Sequence, residues 1–378
     1  MSDRAALGAA DVSDGELAGM VAQSLGVDAV ELVESTAEVA PYDLEALTTA
    51  GRYWVHGTAR HACGESPYRF YVKVVQSWER SPFFAWVPEE MRELALASVP
   101  WRREPDVYRS DLASRLPAGL SMPAAYSVVE IDDLSAAIWL QAIDVVDVEW
   151  EVERFAKAAY LLGRLAASPA VAPLGAIGDV GNVPRGYHGG RLATQVVPAL
   201  FSEQLWEHPL LAAAFDEQLR ADLRAAADAM PAYLDELDAM QVGTNHGDAC
   251  RRNLLVSRAD PHGFVLIDYG FWGRAPLGFD LSQLLIGDVQ TGERAASSLP
   301  ALEQACLTSY HQGLQDEGVD IDEARLRRAH ALLMLEFAGL SSVPFELLEA
   351  PPTDEGLRIA TERAAAARFM LDLVAGTA

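Results

Sequence analysis

The stretch Asn245-His-Gly-Asp-Ala-Cys-Arg-Arg-Asn253 crowds a histidine, a carboxylate and a carboxamide around one glycine, and Ile267-Asp-Tyr-Gly270 and Gly278-Phe-Asp-Leu281 follow it. Three of its oxygen donors, Asp248, Asn253 and Asp268, suit phosphoryl transfer. That reaction needs a carboxylate at the acceptor hydroxyl and hard oxygen ligands for the Mg²⁺ that bridges nucleotide phosphates. Asp248 and Asn253 lie five residues apart, so a tight loop can aim one at the acceptor and the other at metal. A following hairpin can return Asp268 to the same place. His246, next to a glycine, can pack beneath a sharply turning backbone and brace the loop rather than move a proton.

The surrounding pattern predicts what must position these groups. Up to about Val39 the chain is polar and Ala-rich, with a short amphipathic helix near Gly15. From Glu38 to Gln76, the runs Arg52–Arg60 and Arg69–Val75 are rich in aromatic and β-branched residues and predict an antiparallel hairpin. A helix around Pro105–Leu116, stopped by Pro117, precedes two more strands, Ala125–Ile131 and Ala136–Ile143. Ala and Leu then recur at helical spacing from Glu149 to Leu165, Leu210 to Met240 and Ile321 to Leu340. Within that helical part, Val242–Phe279 is a non-helical island with strands at Asn253–Ser257 and Phe264–Asp268, and Pro173–Gly190 and Ala350–Gly356 read as surface loops. The resulting division is a lead-in helix at 1–36, a sheet lobe with one helix at 37–143, and a helical lobe at 144–378 that holds the loop 245–253 and the segment 265–281.

Bulk properties agree with two lobes and a cleft, since 378 residues exceed what one core usually organises. The 55 acidic and 29 basic residues give a net charge of −26, which disfavours nucleic acid and anionic membrane as partners. A cationic small molecule would be attracted, although solubility alone also accounts for such acidity. Cys63, Cys250 and Cys306 are odd in number and widely spaced, giving neither a disulfide framework nor a metal cluster. With acidic residues interrupting every early apolar run and no apolar stretch long enough to span a bilayer, the expected location is the cytoplasm.

In its motifs the sequence resembles the aminoglycoside phosphotransferase and choline kinase-like family, whose pattern is His-Gly-Asp, four residues, Asn, then Ile-Asp-aromatic-Gly. The resemblance implies an α+β, bilobal protein-kinase-like fold with a small antiparallel sheet in the N-lobe and a larger, mainly helical C-lobe. It implies Asp248 as the catalytic aspartate, Asn253 and Asp268 as Mg²⁺ ligands, and Asp280 as a helix-start carboxylate that braces the loop. It extends back to Lys73 in Phe70-Tyr-Val-Lys-Val-Val, at the place of the strand lysine that pairs with nucleotide phosphates. Glu104 is its expected partner, with Glu93 as the weaker candidate. The phosphate-covering turn falls at Thr48, Thr49 and Gly51, although no G-x-G-x-x-G pattern is present. The adenine-binding hinge falls at Gln141, Ala142 and Ile143. Backbone recognition there leaves little side-chain trace, so ATP is the expected co-substrate and GTP is not excluded.

The implied activity is ATP-dependent O-phosphorylation of an amino sugar, antibiotic or related metabolite. A kinase-like binding module without turnover is the alternative, although Lys73, Asp248 and Asp268 are all retained. A kinase for a peptide natural-product precursor is another, weakened by the absence of His-Arg-Asp, Asp-Phe-Gly and Ala-Pro-Glu. Arg251 and Arg252 stay open between neutralising phosphate and pairing with acidic neighbours such as Glu336. Glu207, Asp216, Glu217, Asp235 and Asp288 could meet an amine, or be ordinary helix-face charges. The acceptor and the oligomeric state are left open.

Overall fold

The computed structural model describes residues 2–42 and 46–377. Its first part is built on β1 (Ser2–Asp3), β2 (Glu31–Val39), β3 (Thr49–His61) and β4 (Gly64–Gln76), followed by the two-residue β5 (Leu120–Ser121) and by β6 (Ala125–Asp132) and β7 (Ser135–Gln141). The sheet order is β1-β2-β3-β4-β7-β6, with every neighbouring pair antiparallel except β1 and β2.

Alternation along β4 assigns each face a task. Phe70, Val72 and Val74 join Val55 and Trp139 in a core with Leu17, Met20 and Val21 of the lead-in helix Asp14–Leu25. Tyr71 and Val75 belong to the other face, which continues into the main core through Ile138, Val107 and Tyr108. Lys73 lies between them in register, so the same alternation turns it toward the helical part. The lead-in helix has a definite start and stop: Ser13 and Glu16 form a capping box, and Gly26 ends it in the left-handed region at φ 68°.

The helical part comprises Val152–Ala167, Glu217–Asp238, Phe279–Gln290, Leu299–Asp316, Glu323–Met334 and Asp354–Gly376, with shorter pieces between. Residues of five of these six helices join the sheet's inner face in the main core, and a second core forms around Leu219, Leu223, Met230 and Leu333.

Among the boundaries that differ from the sequence reading, three have a clear local cause. β2 begins at Glu31, inside the stretch read as lead-in, because its residues are nearly all solvent-facing and no apolar alternation marks its start. The helix expected at Pro105–Leu116 runs from Arg103 to Arg109. Ser110 ends it by donating its hydroxyl to Val107 O and accepting from Leu112 N, a local bond that competes with the helix. The loop expected at Pro173–Gly190 contains the helix Val183–Tyr187, started by Asn182, whose side chain accepts from Arg185 N, and by Pro184 in the first turn; a wider-wound π segment, His188–Val196, follows.

Candidate active site

The non-helical island is two short ribbons. β8 (Val242–Asn245), β9 (Leu254–Leu255), β10 (Phe264–Leu266) and β11 (Gly273–Pro276) pair as β8 with β11 and β9 with β10. The loop from β8 to β9 and the turn from β10 to β11 therefore leave neighbouring strand ends. Ile267 N also donates to Asn253 O at 3.1 Å, joining the two. This pairing brings Asp248, Asn253 and Asp268 together.

Gly247 is required where it stands. Its φ is +89°, and a Cβ there would lie 2.0 Å from Phe271 O. Asp280, at the start of helix Phe279–Gln290, accepts from His246 N at 2.9 Å and Gly247 N at 2.8 Å, holding the turn from below. Burial raises the Asp280 carboxyl to about 7, against the pull of those two donors. His246 is fully buried and lowered to about 4 by burial, so it is neutral at physiological pH. Its Nε2 faces Ile267 O at 2.9 Å, which only accepts, and its Nδ1 faces Asp248 N at 3.3 Å, which only donates. Both ring nitrogens are thereby committed, an arrangement suited to bracing.

Asn253 Nδ2 donates to Asp248 Oδ2 and to Asp248 O, both at 2.9 Å. Burial, with the Asp268 charge second, raises Asp248 to about 6. Asp268 occupies the left-handed region at φ 66°, the sole non-glycine residue to do so among the described residues. Burial opposes its charge, yet Lys73 holds the carboxyl below its usual value.

Lys73 joins the two parts of the molecule. Its Nζ lies 2.7 Å from Glu104 Oε2 and 3.0 Å from Asp268 Oδ1, with the lysine and Glu104 both nearly fully buried. The two carboxylates raise the lysine despite its burial, and burial raises Glu104 despite the lysine. The lysine is charged, because two carboxylates face its nearly buried ammonium. Glu93 is exposed in the helix Arg92–Ser98, so Glu104 is the residue that meets Lys73.

The donor types fit a hard cation: a carboxylate held below its usual value at Asp268 and the amide oxygen of Asn253, on adjacent loops.

Thr48 O accepts from Gln76 N at 2.8 Å, and Thr49 and Gly51 pair with Val75 and Val74 across a bulge, so this segment is stapled to the end of the Lys73 strand. Gln141 closes β7, where its N–H is bound to Ala124 O at 2.8 Å, and Ala142 and Ile143 follow it outside the strand.

The suggested pairing of Arg251 and Arg252 with Glu336 is wrong. Arg251 Nε donates to both oxygens of Asp288 at 2.9 Å, and both arginines meet Glu293. Asp288 thus pairs with the loop; Asp216 caps Glu217–Asp238 and meets Arg368, and Asp235 meets Arg185. Glu336 is fully buried in the π turn Leu335–Gly339, and neither carboxylate oxygen has a hydrogen-bond partner among the described residues. Sequence reasoning passed over Arg52, whose register partner is Lys73 and whose charge helps keep Asp268 ionised. The cross-strand alternation of the hairpin would have found it.

The fold is that of a bilobal phosphotransferase. Residues 110–333 match the phosphotransferase enzyme family, and the chain belongs to it. Among solved structures, an ethanolamine kinase from Plasmodium vivax aligns at 9% identity over 90% of this chain and 83% of that one, with a TM-score of 0.51. An aminoglycoside phosphotransferase from Alicyclobacillus acidocaldarius aligns at 15% identity over 90% and 96%, TM-score 0.47. A spectinomycin phosphotransferase in complex with ADP and spectinomycin aligns at 11% over 97% and 98%, TM-score 0.49. A comparison with curated proteins finds no match. No helix among the described residues is long and apolar enough to cross a membrane.

Proposed function

We propose that this phosphotransferase moves the γ-phosphate of ATP to a hydroxyl of an amine-bearing small molecule such as an amino sugar or related antibiotic. Residues 37–143 form the nucleotide lobe and 144–378 the acceptor lobe in this reading. Lys73, held by Glu104, takes the phosphates; Thr48, Thr49 and Gly51 cover them; Gln141, Ala142 and Ile143 meet the base. Asp248 accepts the hydroxyl proton and orients the nucleophile. Asn253 and Asp268 would hold Mg²⁺, which supplies neutralisation of phosphate charge when bound. His246 and Asp280 keep the loop in shape.

One observation supports the reading above all: Lys73 of the sheet reaches Glu104 and Asp268 at 2.7 and 3.0 Å, beside a loop in which Asn253 fixes the Asp248 carboxylate. The net charge of −26 favours a cationic acceptor.

The test is acceptor-dependent ADP formation from Mg²⁺-ATP across hydroxylated amines and their amine-free counterparts. Asp248→Asn should lower turnover about 10²–10⁴-fold, the usual contribution of a positioned base, while ADP affinity stays close to that of the wild type. Wild-type turnover in the variant would remove Asp248 from this role. Equal rates with amine-free acceptors would remove the preference for a cation.

A further inference from the structure

Arg103 sits beside Glu104 at the head of helix Arg103–Arg109 and is 3% exposed. Its Nε and Nη2 donate to Gly178 O at 3.1 and 2.6 Å, and its Nη1 donates to Gly270 O at 2.9 Å. Burial lowers the guanidinium to about 10, with Asp179 pulling the other way, so it remains a cation at neutral pH. A guanidinium taken out of water and met by neutral carbonyls is a poor source of stability.

What it fixes is position. Gly270 closes the Asp268-Tyr-Gly turn, and Gly178 belongs to the loop 174–181, whose Leu174 O also accepts from Trp272 Nε1 at 2.9 Å. Gly178 has φ +62°, and a Cβ there would stand 2.8 Å from Arg103 Cβ and Nε, so the arginine stem lies directly on backbone.

We propose that Arg103 is a positioning residue for the metal-ligand turn, tying the Asp268 segment to the helix that carries Glu104. The two carboxylates that share Lys73 then keep one relative placement when nucleotide phosphates claim the ammonium. The inference rests on reading Asp268 as a metal ligand, and sequence gave no hint of it: Trp101-Arg-Arg-Glu104 offers two adjacent arginines, and only the fold shows that Arg103 turns inward while Arg102 stays exposed.

The experiment is calorimetric titration of ADP, with and without MgCl₂, into wild type, Asp268→Asn, Arg103→Lys and Gly178→Ala, with melting temperatures alongside. Mg²⁺ should tighten ADP binding by the wild type, and Asp268→Asn should abolish that tightening. Arg103→Lys keeps the charge but cannot span two carbonyls. It and Gly178→Ala should each lose about tenfold of the tightening, the scale found for partners behind metal ligands, with metal-free ADP affinity little changed. Should Arg103→Lys fail to fold, Gly178→Ala decides the matter with the guanidinium intact. Full tightening in the variants, or equal loss of metal-free and metal-bound affinity, overturns the inference. Wild-type protein that binds no ADP, or tightening that survives Asp268→Asn, overturns the nucleotide or metal reading beneath it.

Discussion

Lys73 and Glu104 form a buried pair whose contribution to stability can be separated from the nucleotide role proposed for it. Lys73→Met strands Glu104 in a closed space and should lower stability by roughly 3–5 kcal/mol as well as weaken ADP binding. Adding Glu104→Leu should return most of the stability and none of the binding. Chemical denaturation with parallel ADP titration separates the two, and binding recovered in the double variant would contradict the role of the lysine. Glu336 has the opposite character, a charge-capable group with no hydrogen-bond partner among the described residues. Burial raises it from 4.5 to about 9. A raised carboxyl means that the folded state holds the proton more tightly than the unfolded one. This stabilisation is complete below pH 4.5 and is lost as pH rises toward 9. At pH 7 the loss is about 3 kcal/mol, at 1.36 kcal/mol per unit. Glu336→Gln should therefore melt at higher temperature than wild type at pH 8 and lose that advantage near pH 4. Parallel pH profiles would refute it.

At the level of elements, the loop between β8 and β9 keeps its shape through Asp280, which sits at the start of a helix and accepts from the backbone N–H groups of His246 and Gly247 in the loop. Asp280→Asn presents an NH₂ to one of those donors. It should cost about 2 kcal/mol of stability and reduce turnover more than ADP affinity, read by melting and steady-state kinetics; unchanged turnover would make the brace dispensable. The convergence of Asp248, Asn253 and Asp268 was legible in the sequence because a short non-helical island with polar residues and two turn glycines, Gly247 and Gly270, stands out inside an apolar, helical surround. The Lys73 strand was legible through its β-branched neighbours. β2 was not, since a strand exposed along most of its length carries no period. Nor were the partners of Arg251: Asp288 and Glu293 lie some forty residues further on, and proximity in a fold leaves no mark on either stretch of chain.

For the whole molecule, the bond between Lys73 and Asp268 joins a strand of the sheet to a turn of the helical part across 195 residues of sequence. A nucleotide that binds this junction must stabilise both parts at once. Saturation at a hundred times Kd should add about 2.7 kcal/mol, seen as one shifted melting transition. Two transitions, with only the earlier one moved by Mg²⁺-ADP, would show that the parts melt separately and that the junction does not couple them.

Asp268 has a further consequence, for mutational drift. Its left-handed backbone would be relaxed by glycine, at a gain of order 1 kcal/mol that is set against the loss of the carboxylate facing Lys73. Wherever a second substitution removes the need for that carboxylate at Lys73, a library sorted for heat resistance alone would be drawn toward glycine at a position the proposed chemistry uses. Sorting for folding would then have to be joined to sorting for nucleotide binding.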